Sequence, residues 1–268
     1  MTISFDAEPI TKFHCDEARP FLSIEQNYDL LMDFDVYQSE ILEVAQSAVN
    51  YRKWLARLTF PYLGDNPLEF GSGIGDYADE WLHLGCKQIT VSENSPTRMP
   101  ALTSKFLGNL QVDVRQIDIE NFEGVNCDHS AVVSLNVIEH LKNDNAAVRC
   151  AHQALLPGGY FVAFAPASPL LMSKFDRAIG HYRRYTKKTA RALLANNGFE
   201  LVEVHYVNSV GWFAWLVGMR ILKITPRDGL LLKAWDRIVI PIVSTVENWF
   251  TPPFGTSILI VGRKSFKG

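Results

Sequence analysis

At 268 residues the chain has room for one α/β domain with elaborations, or a domain plus a small cap. An apolar fraction of 47% is ordinary for a soluble globular protein, and a formal net charge of −3 removes the electrostatic reason to expect nucleic acid, which calls for a basic face. The four cysteines, Cys15, Cys86, Cys127 and Cys150, form no C-x-x-C pair, so neither zinc nor a disulfide framework is suggested, and scattered thiols fit a reducing cytoplasm.

Residues 1 to about 24 show no clear period. Met1 to Pro20 carries acids and no continuous apolar run, which is not the pattern of a secretory signal. From Glu25 to Leu58 the pattern turns helical, with Ile41, Val44, Ala45, Ala48 and Val49 on one stripe that Tyr51, Trp54, Leu55 and Leu58 continue. Trp54 is expected in the core, while Tyr51, with its polar tip, suits either core or pocket roof. Pro61 stops this helix, and Gly64-Asp65-Asn66-Pro67 turns the chain into a short apolar strand at Leu68–Phe70.

Next come Gly71, Ser72, Gly73, Ile74 and Gly75, then a helix from Asp76 to Leu84. Glycine reaches backbone conformations that a side chain forbids and lets a ligand lie against bare main chain. A strand, a glycine turn and a helix N-terminus together offer backbone N–H donors at a positive dipole end, which is a nucleotide-type pocket. The spacing is G-x-G-x-G rather than the dinucleotide G-x-G-x-x-G, because Asp76 stands where the third glycine is needed.

Gln88–Glu93 reads as a second strand ending in a carboxylate about twenty residues past the turn, where an acid meets ribose hydroxyls. Ser95 and Pro96 read as the cap and first turn of the next helix. Val112–Ile119 reads as a third strand closed by Asp118. Ser130–Asn136 is a fourth, running straight into Val137-Ile138-Glu139-His140-Leu141. A helix from about Asn143 to Leu156 is stopped by Pro157-Gly158-Gly159 before a fifth strand at Tyr160–Ala165. In the loop beyond, His181-Tyr182-Arg183-Arg184-Tyr185 gathers aromatics and cations on the edge where an acceptor would enter. Thr186 caps a helix to Asn196, and Phe199–Asn208 is a sixth strand. Two apolar segments follow, Val210–Ile224 and Leu230–Phe250, the second kinked or split at Pro241 and neither reading as a transmembrane span. They read first as a helical cap; a greasy acceptor tunnel, a dimer face or a peripheral membrane contact is the sharper reading. Ser257–Arg263 is the last strand.

The stretch Glu69-Phe70-Gly71-Ser72-Gly73-Ile74-Gly75, with Glu93, Asp118, Asn136–His140, Pro157-Gly158-Gly159 and the terminal strand, resembles the class I S-adenosylmethionine-dependent methyltransferases over about Tyr51 to Arg263. Asn50-Tyr51, His181 to Tyr185 and Pro253-Phe254-Gly255 resemble a bacterial subgroup whose acceptors are mostly undefined. The resemblance implies a Rossmann-like seven-stranded sheet with an antiparallel last strand, helices on both faces, and helical N- and C-terminal caps. The expected divisions are a lead-in and cap over 1–60, the cofactor-binding core over 61–209, an apolar helical insertion over 210–252 and the final strand over 253–268.

The implied cofactor is S-adenosylmethionine, held by Tyr51, Glu69, Gly71, Ser72, Gly73, Glu93, Asn94, Asp118, Ile119, Asn136 and Val137. Glu93 would take the ribose, and Asp118 would face the adenine amino group, which needs an acceptor. His140 and His181 are the candidate general bases, because imidazole titrates near neutral pH, although Glu139 and His140 could equally only hold their loop. Tyr182, Arg183 and Tyr185 are the candidate acceptor contacts, an arginine being suited to a carboxylate or phosphate. Relatives that bind a metal here carry Glu-x-x-Glu-His; Asn136 stands at the first position, so no metal is expected. The expected partner is a small or lipid-like acceptor methylated on O or N, with the chain a monomer or homodimer. A nicotinamide-dependent oxidoreductase and a non-catalytic interaction protein using the tryptophan-rich C-terminal region remain the alternatives.

Overall fold

The computed structural model describes residues 47–121, 127–221 and 229–266. The expected lead-in, the part of the first helix before Ser47 with Ile41, Val44 and Ala45, and the end of the expected 210–224 segment lie outside them.

All four residues of β1 (Pro67–Phe70) are buried, as a strand covered on both faces requires. It pairs in parallel with β2 (Ile89–Glu93) on one side and β4 (His129–Leu135) on the other. β3 (Val112–Gln116) lies outside β2, and β5 (Leu155–Pro166) outside β4. β7 (Ser257–Lys264) enters antiparallel between β5 and β6 (Phe199–Val207), giving seven strands in the order β3-β2-β1-β4-β5-β7-β6. The order reverses between β1 and β4, so a crevice opens at the carboxyl ends of both.

Alternate residues along a strand serve opposite layers. Val133 and Leu259 pack with Trp54 and Leu55 of α1 (Val49–Thr59), Trp81 of α2 (Asp76–His83) and Val243 of α8 (Gly229–Glu247). Val132 and Ile260 pack on the other face with Val148 of α4 (Asp144–Ala154) and Leu194 of α6 (Lys187–Asn196). Trp54 is in the core as expected. Trp81 is fully buried, and its indole N–H reaches the Ala56 carbonyl at 3.2 Å and Thr59 Oγ1 at 3.0 Å.

The first turn of α1 contains no acid, and its N-cap, Ala48, has no side-chain acceptor. Asp236 of α8 supplies one: Oδ2 accepts the Asn50 N–H at 2.9 Å and Oδ1 the Tyr51 N–H at 2.8 Å. The donors left over at a helix start are thus satisfied from another helix. α8 continues through Pro241 rather than splitting there. Pro157-Gly158-Gly159 falls inside β5, which begins at Leu155 opposite His129. α3 (Met99–Lys105) begins later than Ser95 and Pro96 suggest, although the Ser95 hydroxyl accepts the Thr97 N–H at 3.3 Å and its carbonyl the Met99 N–H at 3.0 Å. α5 (Lys174–Ala178) and α7 (Ser209–Trp215) complete the helices used below.

Candidate functional site

After β1 the chain turns through Gly71, Gly73 and Gly75, with φ of +66°, +58° and +79°. Such left-handed backbone costs an L-residue about 1–2 kcal/mol. A Cβ on Gly71 would also lie 2.7 Å from Val137 Cγ2, so the turn rests against the loop that leaves β4. Ser72 stitches the turn to β2: its N–H donates to the Ser92 carbonyl at 2.7 Å, and its hydroxyl accepts the Ser92 N–H at 3.0 Å.

Glu93 closes onto this turn. Its Oε2 accepts the Gly73 N–H at 3.0 Å; its Oε1 accepts the Asn94 and Ser95 N–H groups at 2.9 and 2.8 Å and the Arg98 guanidinium at 3.3 Å. Asp118 lies beyond β3, which ends at Gln116 rather than running on to Ile119. Its carboxylate accepts the Glu120 and Asn121 N–H groups at 3.0 and 3.1 Å and the Asn121 side chain at 2.8 Å. Burial pushes its pKa up, yet these donors and the Asn94 side chain outweigh it and hold the carboxyl below the usual range. Asn94 therefore links the Glu93 end of β2 to Asp118. Ile119 packs partly buried on the core, and Asn136 adopts a left-handed conformation (φ +55°) with its N–H on the Phe164 carbonyl.

Glu69 is buried beneath the turn, and its Oε2 has no hydrogen-bond partner. Burial drives its pKa up to about 8, with the Ser72 hydroxyl and Lys105 pulling the other way. Tyr51 belongs partly to each of its expected places. Its ring packs edge-on to Trp54 and Phe164, while its hydroxyl meets Ser257 Oγ at 3.4 Å where β7 begins.

His140 and His181, about forty residues apart, come together with ring centroids 4.6 Å apart. His181 Nδ1 is 3.0 Å from Asp176 Oδ1. Burial, then the neighbouring His181 and Arg98, push His140 down to about 3. Glu139 beside it is fully buried, which lifts its carboxyl to about 8. Asp176 is held down to about 2: burial opposes this, but His181, Arg184 and Ser173 prevail. Asp176 was not singled out from the sequence, and Arg184 only as one member of the His181–Tyr185 cluster. The signal available was Ser173-x-x-Asp176, the spacing of the capping box that starts α5.

The three candidate acceptor contacts separate. Arg183 is engaged within the chain, donating to the Leu141 and Lys142 carbonyls at 2.8 and 2.7 Å and pairing with Asp144 Oδ1 at 2.7 Å. Tyr185 is buried, its hydroxyl 2.8 Å from Asp144 Oδ2. Tyr182 exposes its side chain, and its N–H holds the Glu139 carbonyl at 2.8 Å.

Residues 68–163 match the family profile described as a methyltransferase domain. Over those residues the chain is a methyltransferase domain, and its fold is that of the class I enzymes whose cofactor is S-adenosylmethionine. The methyltransferase resembles many solved structures. One is a chain from Haloferax volcanii solved in complex with a methyltransferase activator, at 14% identity over 87% of this chain and 97% of that one, with a TM-score of 0.61. Another is an S-adenosylmethionine-dependent methyltransferase from Mesorhizobium loti, at 14% identity over 78% and 96%, with a TM-score of 0.54. A third is the cyclase SpnF, at 18% identity over 80% and 81%, with a TM-score of 0.55. At these identities the likeness is one of fold, and the cyclase illustrates that one fold hosts more than one chemistry. No curated protein sequence matches the chain.

The methyltransferase's own residues fit the cofactor. Glu93 Oε2 accepts a single donor, so a lone pair remains for a sugar hydroxyl. Glu69 Oε2 is buried without a partner, a position suited to the ammonium of the cofactor's amino-acid end. Among the described residues, no helix is long and apolar enough to cross a membrane.

Proposed function

We propose that this methyltransferase acts on an oxygen or nitrogen atom of a small or lipid-like acceptor. When bound, S-adenosylmethionine supplies a methyl group already made electrophilic by its sulfonium. Gly71, Ser72 and Gly73 would cradle its chain with bare backbone, beside Glu69, Asn136 and Val137. Glu93 would take the sugar hydroxyls, and Asp118, Asn94 and Ile119 would line the place of the base, with Tyr51 above. The protein's main task is then to hold the acceptor atom in line, which supplies about 7–11 kcal/mol in favourable cases.

A hydroxyl or protonated amine also needs a proton acceptor, worth about 10²–10⁴-fold. His140, held down to about 3 by burial, is a poor one. His181 is the better: Asp176 braces its Nδ1, which leaves Nε2 to take the proton. Arg183 and Tyr185 brace the loop rather than grip the acceptor, and Tyr182 is the one of the three turned outward.

The observation that carries this reading is the bond from the Gly73 N–H to Glu93 Oε2. It brings the sugar-binding acid and the bare turn to one point. Calorimetry of the purified chain with S-adenosylmethionine tests it, with one site per chain expected. No heat of binding at high micromolar cofactor would overturn it, and binding of a nicotinamide dinucleotide instead would favour an oxidoreductase. The acceptor atom follows from mass spectrometry of co-purified ligand, and comparison of His140→Ala with His181→Ala then assigns the base.

A further inference from the structure

Glu139, His140 and His181 each turn one donor atom into a common space, and the three atoms lie within 4.8 Å of one another. Neither oxygen of the fully buried Glu139 carboxylate has a hydrogen-bond partner outside its own residue. Its nearest ionic neighbour is His181 Nε2, 3.8 Å from Oε1. A buried polar group left in this condition is costly, and a bound cation would supply the partner it lacks.

Each imidazole is also held by a second partner. His181 Nδ1 lies 3.0 Å from Asp176 Oδ1, and His140 bonds the Ile179 carbonyl. Asp176 is in turn anchored by Arg184, at 2.9 Å from Nε and 2.7 Å from Nη2, and by the Ser173 N–H at 2.8 Å. Ligating histidines have this kind of support: an outer acceptor fixes the tautomer and aims the other nitrogen at the ion.

We propose that Glu139, His140 and His181 bind a divalent transition-metal cation. Two imidazoles and one carboxylate suit Zn²⁺, Mn²⁺ or Fe²⁺ better than Mg²⁺ or Ca²⁺, which prefer oxygen ligands. Ligands about 2.0–2.2 Å from an ion stand about 3.0–3.5 Å from each other. Gathering donors now within 4.8 Å of one another therefore needs only small side-chain rotations. Linear spacing concealed the set. Asn136 breaks a local carboxylate pattern, but the third ligand comes from His181, beyond β5 and α5.

Three protein ligands leave coordination positions open, as reaction sites do and closed structural sites do not. On the methyltransferase reading above, an oxygen of the acceptor takes one of them. A nitrogen that holds an ion cannot also take a proton, so a loaded site moves the histidine pair from base to ligand.

The test needs neither cofactor nor acceptor, so its failure is separate from failure of the methyltransfer reading. The full chain is stripped with chelator and titrated with Zn²⁺ by calorimetry and with Mn²⁺ by electron paramagnetic resonance. One ion per chain is expected. Glu139→Gln and His181→Ala should abolish binding, and Asp176→Asn, acting through His181, should weaken it about 10–100-fold. Circular dichroism checks each fold. An aqueous Mn²⁺ spectrum and no Zn²⁺ heat with wild-type protein would overturn the proposal without any variant. Stoichiometric binding that persists unchanged in Glu139→Gln would overturn it equally.

Discussion

Replacing Glu69 with Gln should stabilise the protein at neutral pH and remove part of its pH dependence. The carboxyl is only 2% exposed, and burial lifts it from 4.5 to about 8. Between those values the folded protein keeps a proton that the unfolded chain has lost. The group's stabilisation is therefore full below the unfolded value and declines as pH rises toward the folded one. At pH 7 the gap of 2.5 units from 4.5 corresponds to about 3 kcal/mol, at about 1.4 kcal/mol per unit. Gln has the same shape and carries no charge. Glu69→Gln should thus match wild type near pH 4.5 and exceed it by about 3 kcal/mol at pH 7. Urea unfolding at a series of pH values, compared by linear extrapolation, measures the difference. Two stability curves that stay parallel across the range would show that Glu69 is ionised in the folded state, and the reasoning from burial would fail.

Gly73→Val should abolish cofactor binding, because a β-branched residue would stand at φ +58° where the ligand needs bare backbone; wild-type affinity by calorimetry would count decisively against the site. Asp236→Ala should cost about 1–3 kcal/mol, since it strips acceptors from the first turn of α1. A melting temperature equal to that of wild type would show that water replaces them. Trp81→Phe keeps most of the apolar contact but deletes the N–H that serves Ala56 and Thr59, so a loss of about 1–2 kcal/mol is expected in denaturant unfolding. No change would mean that both acceptors find other donors.

The parts of the fold set by local chemistry were readable in the chain. Apolar runs and alternating patterns marked the seven strands, and three closely spaced glycines marked a turn that side chains could not make. A spacing of about twenty residues pointed to Glu93, and the structure places it on that turn. What eluded the sequence depends on partners distant in the chain. Arg183 and Tyr185 looked like ligand grips, and only the folded chain shows Asp144 between them. Asp176 drew no attention at all, since its meaning lies in His181 and Arg184, five and eight residues on, folded back beside it. The local rule against a metal, drawn from Asn136, did not weigh His181, which another loop brings beside Glu139 and His140.

The placement of β7 bears on how the molecule is made. The last of the seven strands in chain order lies within the sheet, between β5 and β6, so on the ribosome β6 emerges with no neighbour to pair with. The antiparallel ladder that joins it to β5 waits until residues 257–264 have cleared the exit tunnel. The nascent chain therefore carries an open edge on β5 from the completion of that strand at Pro166 until β7 arrives. Loss of residues 257–264 would leave a sheet missing an inner stave rather than an outer one.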